Sequence, residues 1–186
     1  MPGDRLPESL DALPHRHTVL LTLGTVYNGN MDVLRRAVAG LHMLQANVVV
    51  TVGPDGDPLV LGPQPEHVRV ERYVPYALLL PRCSLVVSQG GSGTLLGALS
   101  LGLPHLLLPQ GADQFFNAEV AVASGAALAL MGADVTPEAV LDGARRLLAE
   151  PALAAAARHV QLEIAAMPSA VQVMKHLLEG TCKEAH

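Results

Sequence analysis

Short apolar runs alternate along this chain with longer stretches in which apolar residues recur every three or four positions. Thr18–Leu23, Asn47–Val52, Val68–Glu71, Leu85–Val87, His105–Leu108 and Ala126–Met131 are short runs, rich in Val, Leu or Ala and mostly bounded by turn-forming residues, and read as strands. Met31–Leu44 carries Val33, Leu34, Ala37, Val38, Leu41 and Leu44 at helical spacing. Pro75–Leu80 reads as a short helical turn, Thr94–Leu99 as the start of a helix, and Gln114–Ser124 as a helix closed by Gly125. Thr136 caps a helix with Pro137 at its first position that runs to Ala149. Pro151–Ala165 and Ser169–Leu178 are further helices. Several strands are apolar throughout, as strands covered on both faces are. The pattern predicts an α/β fold, a Rossmann-like doubly wound parallel sheet of about six strands. It occupies residues 18–180; the irregular, Pro-rich residues 1–17 read as a linker or edge segment, and residues 181–186 as a tail.

The most informative stretch is Ser84–Leu99, a buried strand, a glycine-rich turn and a helix. Gly90, Gly91 and Gly93 leave the turn almost without Cβ atoms, so a ligand can come within hydrogen-bond distance of the backbone. The following helix N-terminus offers free N–H groups and a partial positive charge, which suits a phosphate or diphosphate. One such contact is worth about 0.3–2 kcal/mol, so several must act together. In doubly wound sheets the ligand sits beyond the C-terminal strand ends, near a topological switch point. Gly24-Thr25, Tyr73-Val74, Gln89–Thr94 and Asp113-Gln114 all closely follow strands and are expected on one rim.

Composition narrows the function classes. Of 186 residues 50% are hydrophobic, enough for a sizeable core, and the net charge of −5 with scattered Lys and Arg argues against a nucleic-acid partner. Trp is absent and no apolar run approaches the ~20 residues of a membrane span, so no membrane association is expected. Cys83 precedes a core strand and Cys182 lies in a polar tail, which argues against a disulfide framework or zinc site. The N-terminus lacks the apolar stretch of a signal peptide, and a cytoplasmic protein is expected. Asp55-Gly56-Asp57, between Pro54 and Pro58, reads as a turn rather than a metal-binding carboxylate pair. The eight His show no metal-ligand spacing, and His15 and His17 read as solvated. Val171, Met174, Leu177 and Leu178 form an apolar stripe whose ordinary reading is core packing.

The glycine turn alone is weak evidence for a ligand. Several motifs, however, fall in order: Tyr73-Val74-Pro75, Leu79-Leu80-Pro81, Gln89-Gly90-Gly91-Ser92-Gly93-Thr94, Gly102-Leu103-Pro104, Pro109 and Asp113-Gln114-Phe115-Phe116-Asn117-Ala118. Over residues 18–180 this resembles the C-terminal, nucleotide-sugar-binding half of family 1 GT-B glycosyltransferases, in particular the bacterial macrolide and antibiotic enzymes that use TDP-sugars. The resemblance implies that Tyr73 stacks on the nucleobase while the Val74 backbone bonds its edge. Gly24, Thr25, Gln89, Gly90, Gly91, Ser92, Gly93 and Thr94 would hold the diphosphate, and Asp113 and Gln114 the sugar hydroxyls. It implies a TDP- or UDP-sugar donor, no metal or other cofactor, inverting transfer to a small natural product, and a homodimer as an open option. The catalytic base and acceptor pocket would lie in an N-terminal domain or a partner subunit, so this chain alone is expected to bind donor without completing transfer. The last helix would reach back to that domain, and without it part of the stripe of Val171, Met174, Leu177 and Leu178 is expected to be exposed or repacked. A separate donor-binding subunit or a non-catalytic auxiliary protein is the alternative. The family usually has His where this chain has Gln89, which puts transition-state stabilisation in doubt. Without the resemblance, Gly90–Gly93 is a tight turn, Tyr73 a half-buried aromatic, Asp113 a helix N-cap and Gln89 an amide closing the loop. A dehydrogenase is disfavoured, because no GxGxxG follows the first strand.

Overall fold

A computed structural model describes residues 5–10, 13–24 and 31–181, and in it the six apolar runs pair as one parallel sheet. The strands are β1 (Thr18–Thr22), β2 (Asn47–Thr51), β3 (Val68–Glu71), β4 (Leu85–Ser88), β5 (His105–Leu107) and β6 (Ala127–Ala129). Their order is β3-β2-β1-β4-β5-β6, which is the expected doubly wound topology. The helices are α1 (Met31–Leu41), α2 (Tyr76–Leu79), α3 (Ser92–Leu99), α4 (Gln114–Ala123), α5 (Pro137–Ala149), α6 (Pro151–Ala166) and α7 (Ala170–Thr181). All residues of β1, β2, β4 and β5 are buried, which is why their sequences do not alternate. One core layer lies between the sheet and α1 and α5, through Leu21, Leu41, Val50, Leu106 and Leu147. The opposite face is covered by Val74, Leu79 and Ala98 on one side and by the layer of Leu95, Leu99, Leu107 and Ala157 on the other.

Several boundaries differ from expectation. Helix α1 ends at Leu41, and Leu44 reaches the same core layer from the turn that follows. Helix α3 begins at Ser92, so Gly93 and Thr94 belong to its first turn. Helix α7 runs to Thr181. Thr25 and Cys182 lie outside the described residues. Asp57 is a turn residue, as expected: its Oδ1 accepts the Leu59 N–H at 3.0 Å.

Two expectations are corrected. His15 is not simply solvated: its backbone N–H donates to Asn47 Oδ1 at 2.8 Å, and its ring packs edge-on against His67 at 5.5 Å. His17 Nδ1 lies 3.0 Å from the Ser84 hydroxyl. Of the two readings of the α7 stripe, core packing is overturned and exposure is found: Val171, Met174 and Leu178 are exposed, and the Leu177 side chain lies outside the described residues. The segment before β1 also packs, with Leu10 buried against the layer containing Leu20 and Val49. No helix among the described residues is long and apolar enough to cross a membrane.

Helices α1 and α5 meet through Gly40. A Cβ there would stand 2.4 Å from the Pro137 carbonyl oxygen and 3.0 Å from the Val140 Cβ. In an open helix Gly→Ala stabilises by about 1 kcal/mol. Here overpacking against backbone reverses the sign, and Gly40→Ala is expected to destabilise by about 1–3 kcal/mol in urea unfolding. A more stable variant would mean that the two helices do not pack this closely.

Candidate functional site

The site begins where β1 and β4 end side by side, with Thr22 paired to Ser88. This is the switch point, because the chain leaves β1 toward β2 on one side and β4 toward β5 on the other. Past it lies a cavity of about 590 Å³. Its walls include Gly24, Tyr73, Val74, Gln89, Gly91, Ser92, Gly93, Thr94, Asp113 and Gln114. These are expected site residues drawn from four separate loops, and the fold brings them to one place. Gly90 stands behind the wall, turned by φ +87°, with its Cβ position 3.4 Å from Leu107.

Helix α3 enters the cavity without a side-chain cap, since its N-cap is Gly91. The first backbone bond into the helix is from Leu95 N–H to Gly91 C=O. Among the described residues the N–H groups of Ser92, Gly93 and Thr94 take no backbone partner, as the first turn of any helix leaves them, and these residues line the cavity. Val74 is fully buried, and neither its N–H nor its C=O takes a backbone bond among the described residues. Tyr73 is 61% exposed, so its ring face is open rather than packed into the core.

The loop is held from behind. Ser88 Oγ accepts the Gly90 N–H at 3.0 Å and lies 2.8 Å from His105 Nε2. His105 is completely buried, and burial pushes its pKa down to about 3, so it is neutral. Asn117 Nδ2 reaches Gly90 O at 2.9 Å, Asp113 Oδ2 at 3.1 Å and Ser92 Oγ at 3.2 Å. Ser92 Oγ donates in turn to Asp113 Oδ2 at 3.1 Å. Asp113 is thus not a side-chain N-cap of α4; its carboxylate faces α3 instead. Gln114 is buried, and its Oε1 accepts the N–H groups of Gln110 and Gly111 at 2.8 and 3.2 Å. Its carbonyl holds that turn, which leaves Nε2 as the end available to a ligand.

Gln89 is 9% exposed, and its Oε1 has no hydrogen-bond partner. The Cβ that Gly24 lacks would fall 2.1 Å from Gln89 Nε2. Gly24, with φ +76°, is therefore required by the Gln89 side chain as well as by its own backbone turn. Sequence reasoning missed Arg72, the cation among the described residues that line the cavity, and Asn117, Thr51 and Tyr76. The Thr51 hydroxyl and Tyr76 phenol are bonded at 2.9 Å in the cavity wall. Asn117 was visible in the Asp113–Ala118 motif; Arg72 had only its place beside Tyr73. Among the described residues no group of three His, Cys, Asp or Glu could hold a metal ion.

Residues 35–179 match the family described as "Erythromycin biosynthesis protein CIII-like, C-terminal domain". The chain belongs to that family. The elloramycin glycosyltransferase of Streptomyces olivaceus is 38% identical over 174 residues, covering 91% of this chain and 43% of that protein. The 3-alpha-mycarosylerythronolide B desosaminyl transferase of Saccharopolyspora erythraea is 30% identical over 183 residues, 96% of this chain and 42% of that one. The glycosyltransferase VinC, solved in complex with dTDP, superposes with a TM-score of 0.80 at 34% identity over 95% of this chain and 44% of that structure. The chain spans about two fifths of the length of these relatives. Family membership accounts for the ordered motifs and for the parallel sheet as the C-terminal half of a GT-B fold.

The buried His105 makes stability depend on pH. Its pKa in the fold is about 3, below the ordinary 6.5, so between these values the unfolded chain binds more protons. Its stabilising contribution is complete above about pH 6.5 and is lost as pH falls toward 3. Urea unfolding at pH 7 and pH 4.5 is expected to show a fall in stability that is smaller in His105→Gln, by up to about 1.4 kcal/mol per pH unit. Equal falls in both proteins would show that His105 is not held neutral.

Proposed function

We propose that this chain binds the nucleotide-sugar donor, a TDP- or UDP-sugar, for an inverting glycosyltransferase acting on a small natural product. The observation that carries this reading is the cavity at the switch point, where three N–H groups of α3 and the Val74 backbone, none with a backbone partner among the described residues, meet an exposed Tyr73 and the Asp113 carboxylate. Each element suits one part of such a donor. The Tyr73 face suits stacking on a base, and the Val74 backbone suits its polar edge. Thr25 lies outside the described residues and keeps its proposed place beside Gly24 at the phosphates. Asp113 accepts hydrogen bonds and the free end of Gln114 donates them, the pairing that sugar hydroxyls need. As the anomeric carbon is attacked, negative charge grows on the leaving diphosphate, and donors already fixed around it stabilise that charge. In this reading the helix N-terminus and Arg72 meet the charge, with no metal or other cofactor.

The acceptor and its base belong to protein outside this cavity. Its described lining contains no histidine, and its carboxylate is that of Asp113. A preceding domain or a partner subunit would supply them, and the chain alone would bind donor without transfer. The relatives' greater length supports such a division. The uncharged Gln89 favours a second reading, a non-catalytic auxiliary protein that keeps the donor-binding architecture.

Isothermal titration with TDP-glucose tests the first reading. Gly91→Val is expected to abolish binding while keeping the fold, because φ −63° and ψ 136° accept a side chain and the atom nearest the new Cβ, Gln89 Nε2 at 3.2 Å, is a side-chain end that has only to give slightly. Tyr73→Ala is expected to weaken binding by about 5- to 150-fold, the range for loss of one base–aromatic stack. Undiminished affinity in both variants would exclude this cavity as the donor site.

A further inference from the structure

We propose that His15, His42 and His67 form a clasp that holds the segment before β1 against the body of the fold and releases it in mild acid. The three lie at the N-terminal ends of β1, β2 and β3, the opposite end of the sheet from the donor cavity, so the clasp stands whether or not the donor-site reading does. His67 is the middle ring. Its centroid is 5.5 Å from that of His15 and 6.5 Å from that of His42, and both contacts are edge-on. His15 is placed by Asn47, the first residue of β2. Asn47 Oδ1 accepts the His15 N–H at 2.8 Å, and its Nδ2 donates to the His15 carbonyl at 2.7 Å. Further along the same segment Leu10 is buried, and Ser9 donates to the Glu71 carboxylate at 2.9 Å.

Neutral rings suit this packing and charged ones do not. His67 Nε2 is shut away from water and has no hydrogen-bond partner. As a lone pair it is tolerable; as an N–H of an imidazolium it is a charged donor with no acceptor. Burial and then the charge on His15 push the His67 pKa below its ordinary 6.5, against a smaller rise from the His42 backbone carbonyl. His42 takes a proton without losing a bond. Gln64 Nε2 donates to the Leu61 and Gly62 carbonyls at 2.7 and 3.2 Å, so its Oε1 faces His42 Nε2 at 2.7 Å and that nitrogen is already a donor. A proton on the other nitrogen then puts a charge beside His67. The remaining charges nearby do not neutralise the cluster. Arg16 and Glu66 are exposed, and Arg69 bonds the Glu66 and Val68 carbonyls. His17 faces the Ser84 hydroxyl, which can donate or accept. On α1, Arg35 pairs with Asp32, and Arg36 reaches the Val135 carbonyl. Among the described residues no carboxylate stands within salt-bridge distance of the three rings. Because His67 binds its proton less well closed than open, the closed form has its full advantage above about pH 6.5 and loses it as pH falls. A preceding domain of the kind proposed above would be joined through this segment, and the clasp would set how firmly that connection is held.

The test is hydrogen exchange of the full chain, read by NMR at pH 7.5 and pH 5.5 as the protection factor of the His15 amide, which removes the intrinsic pH dependence of exchange. In the wild type this protection is expected to fall about tenfold, the limit for one histidine that takes its proton only when exposed. His67→Phe keeps a planar ring and removes the proton site, and its fall is expected to stay under about twofold. The buried His105 takes its proton only when the sheet opens, and it is present in both proteins. The wild-type profile needs no variant to fold. A wild-type fall under twofold, or an equal fall in both proteins, would overturn the clasp.

Discussion

The hydroxyl of Ser88 is the point at which the sheet becomes a site. It ends β4 beside Thr22 of β1, accepts the Gly90 N–H and rests on the neutral ring of His105. Asn117 takes the other polar group of Gly90, its carbonyl. Both backbone groups at the turn are therefore satisfied inside the protein. The backbone donors left over are those of Ser92, Gly93 and Thr94, which open on the cavity. An unpaired N–H is tolerable there because water or a ligand can reach it.

Helix α5 differs from α3 at its N-terminus. Thr136 Oγ1 caps α5 through the Ala139 N–H at 3.2 Å, and Pro137 has no N–H to satisfy. Such caps stabilise helices by about 0.5–2 kcal/mol. Helix α3 has Gly91 at that position and no side-chain cap. Cavity size alone would point elsewhere. A larger groove of about 820 Å³ runs between α4, β6 and α5, lined by Phe115, Phe116, Leu128 and Met131. It is the roomier space, but most of the side chains that line it are apolar. The polar groups of the smaller cavity are what favour it as the proposed donor site.

The fold was legible because its strands are buried on both faces, so an apolar run such as Val48-Val49-Val50 leaves little choice of environment. Element ends were less legible, because burial and backbone pairing stop at different residues. Leu44 continues the helical spacing of α1 but reaches the core from a turn. Gly93 reads as loop because glycine is a poor helix former, yet in the first turn its N–H has no helical partner to lose. The contact of His15 with His67 had no local signal, since it joins the start of one strand to that of another. The α7 stripe has core-like spacing, but spacing does not reveal whether a partner surface is present.

The site was legible as a set of residues and illegible as a set of contacts. The four loops could be listed in order because strand ends in a doubly wound sheet converge on one edge. What the sequence could not tell is why each residue is what it is. Gly24 looks like a glycine that lets a phosphate approach, but the space its Cβ would fill is held by the amide of Gln89, far along the chain. Asp113 looks like a cap of α4, but its carboxylate receives Ser92 and Asn117. Gln114 looks like a free sugar ligand, but half of its amide is spent on the turn at Gln110 and Gly111. For Gly24 and Asp113 the deciding partner comes from another loop, so the chemistry of these residues is local while their role is not. A change at Gln89 is therefore also a change in what Gly24 must leave room for, and the two positions have to be read as one.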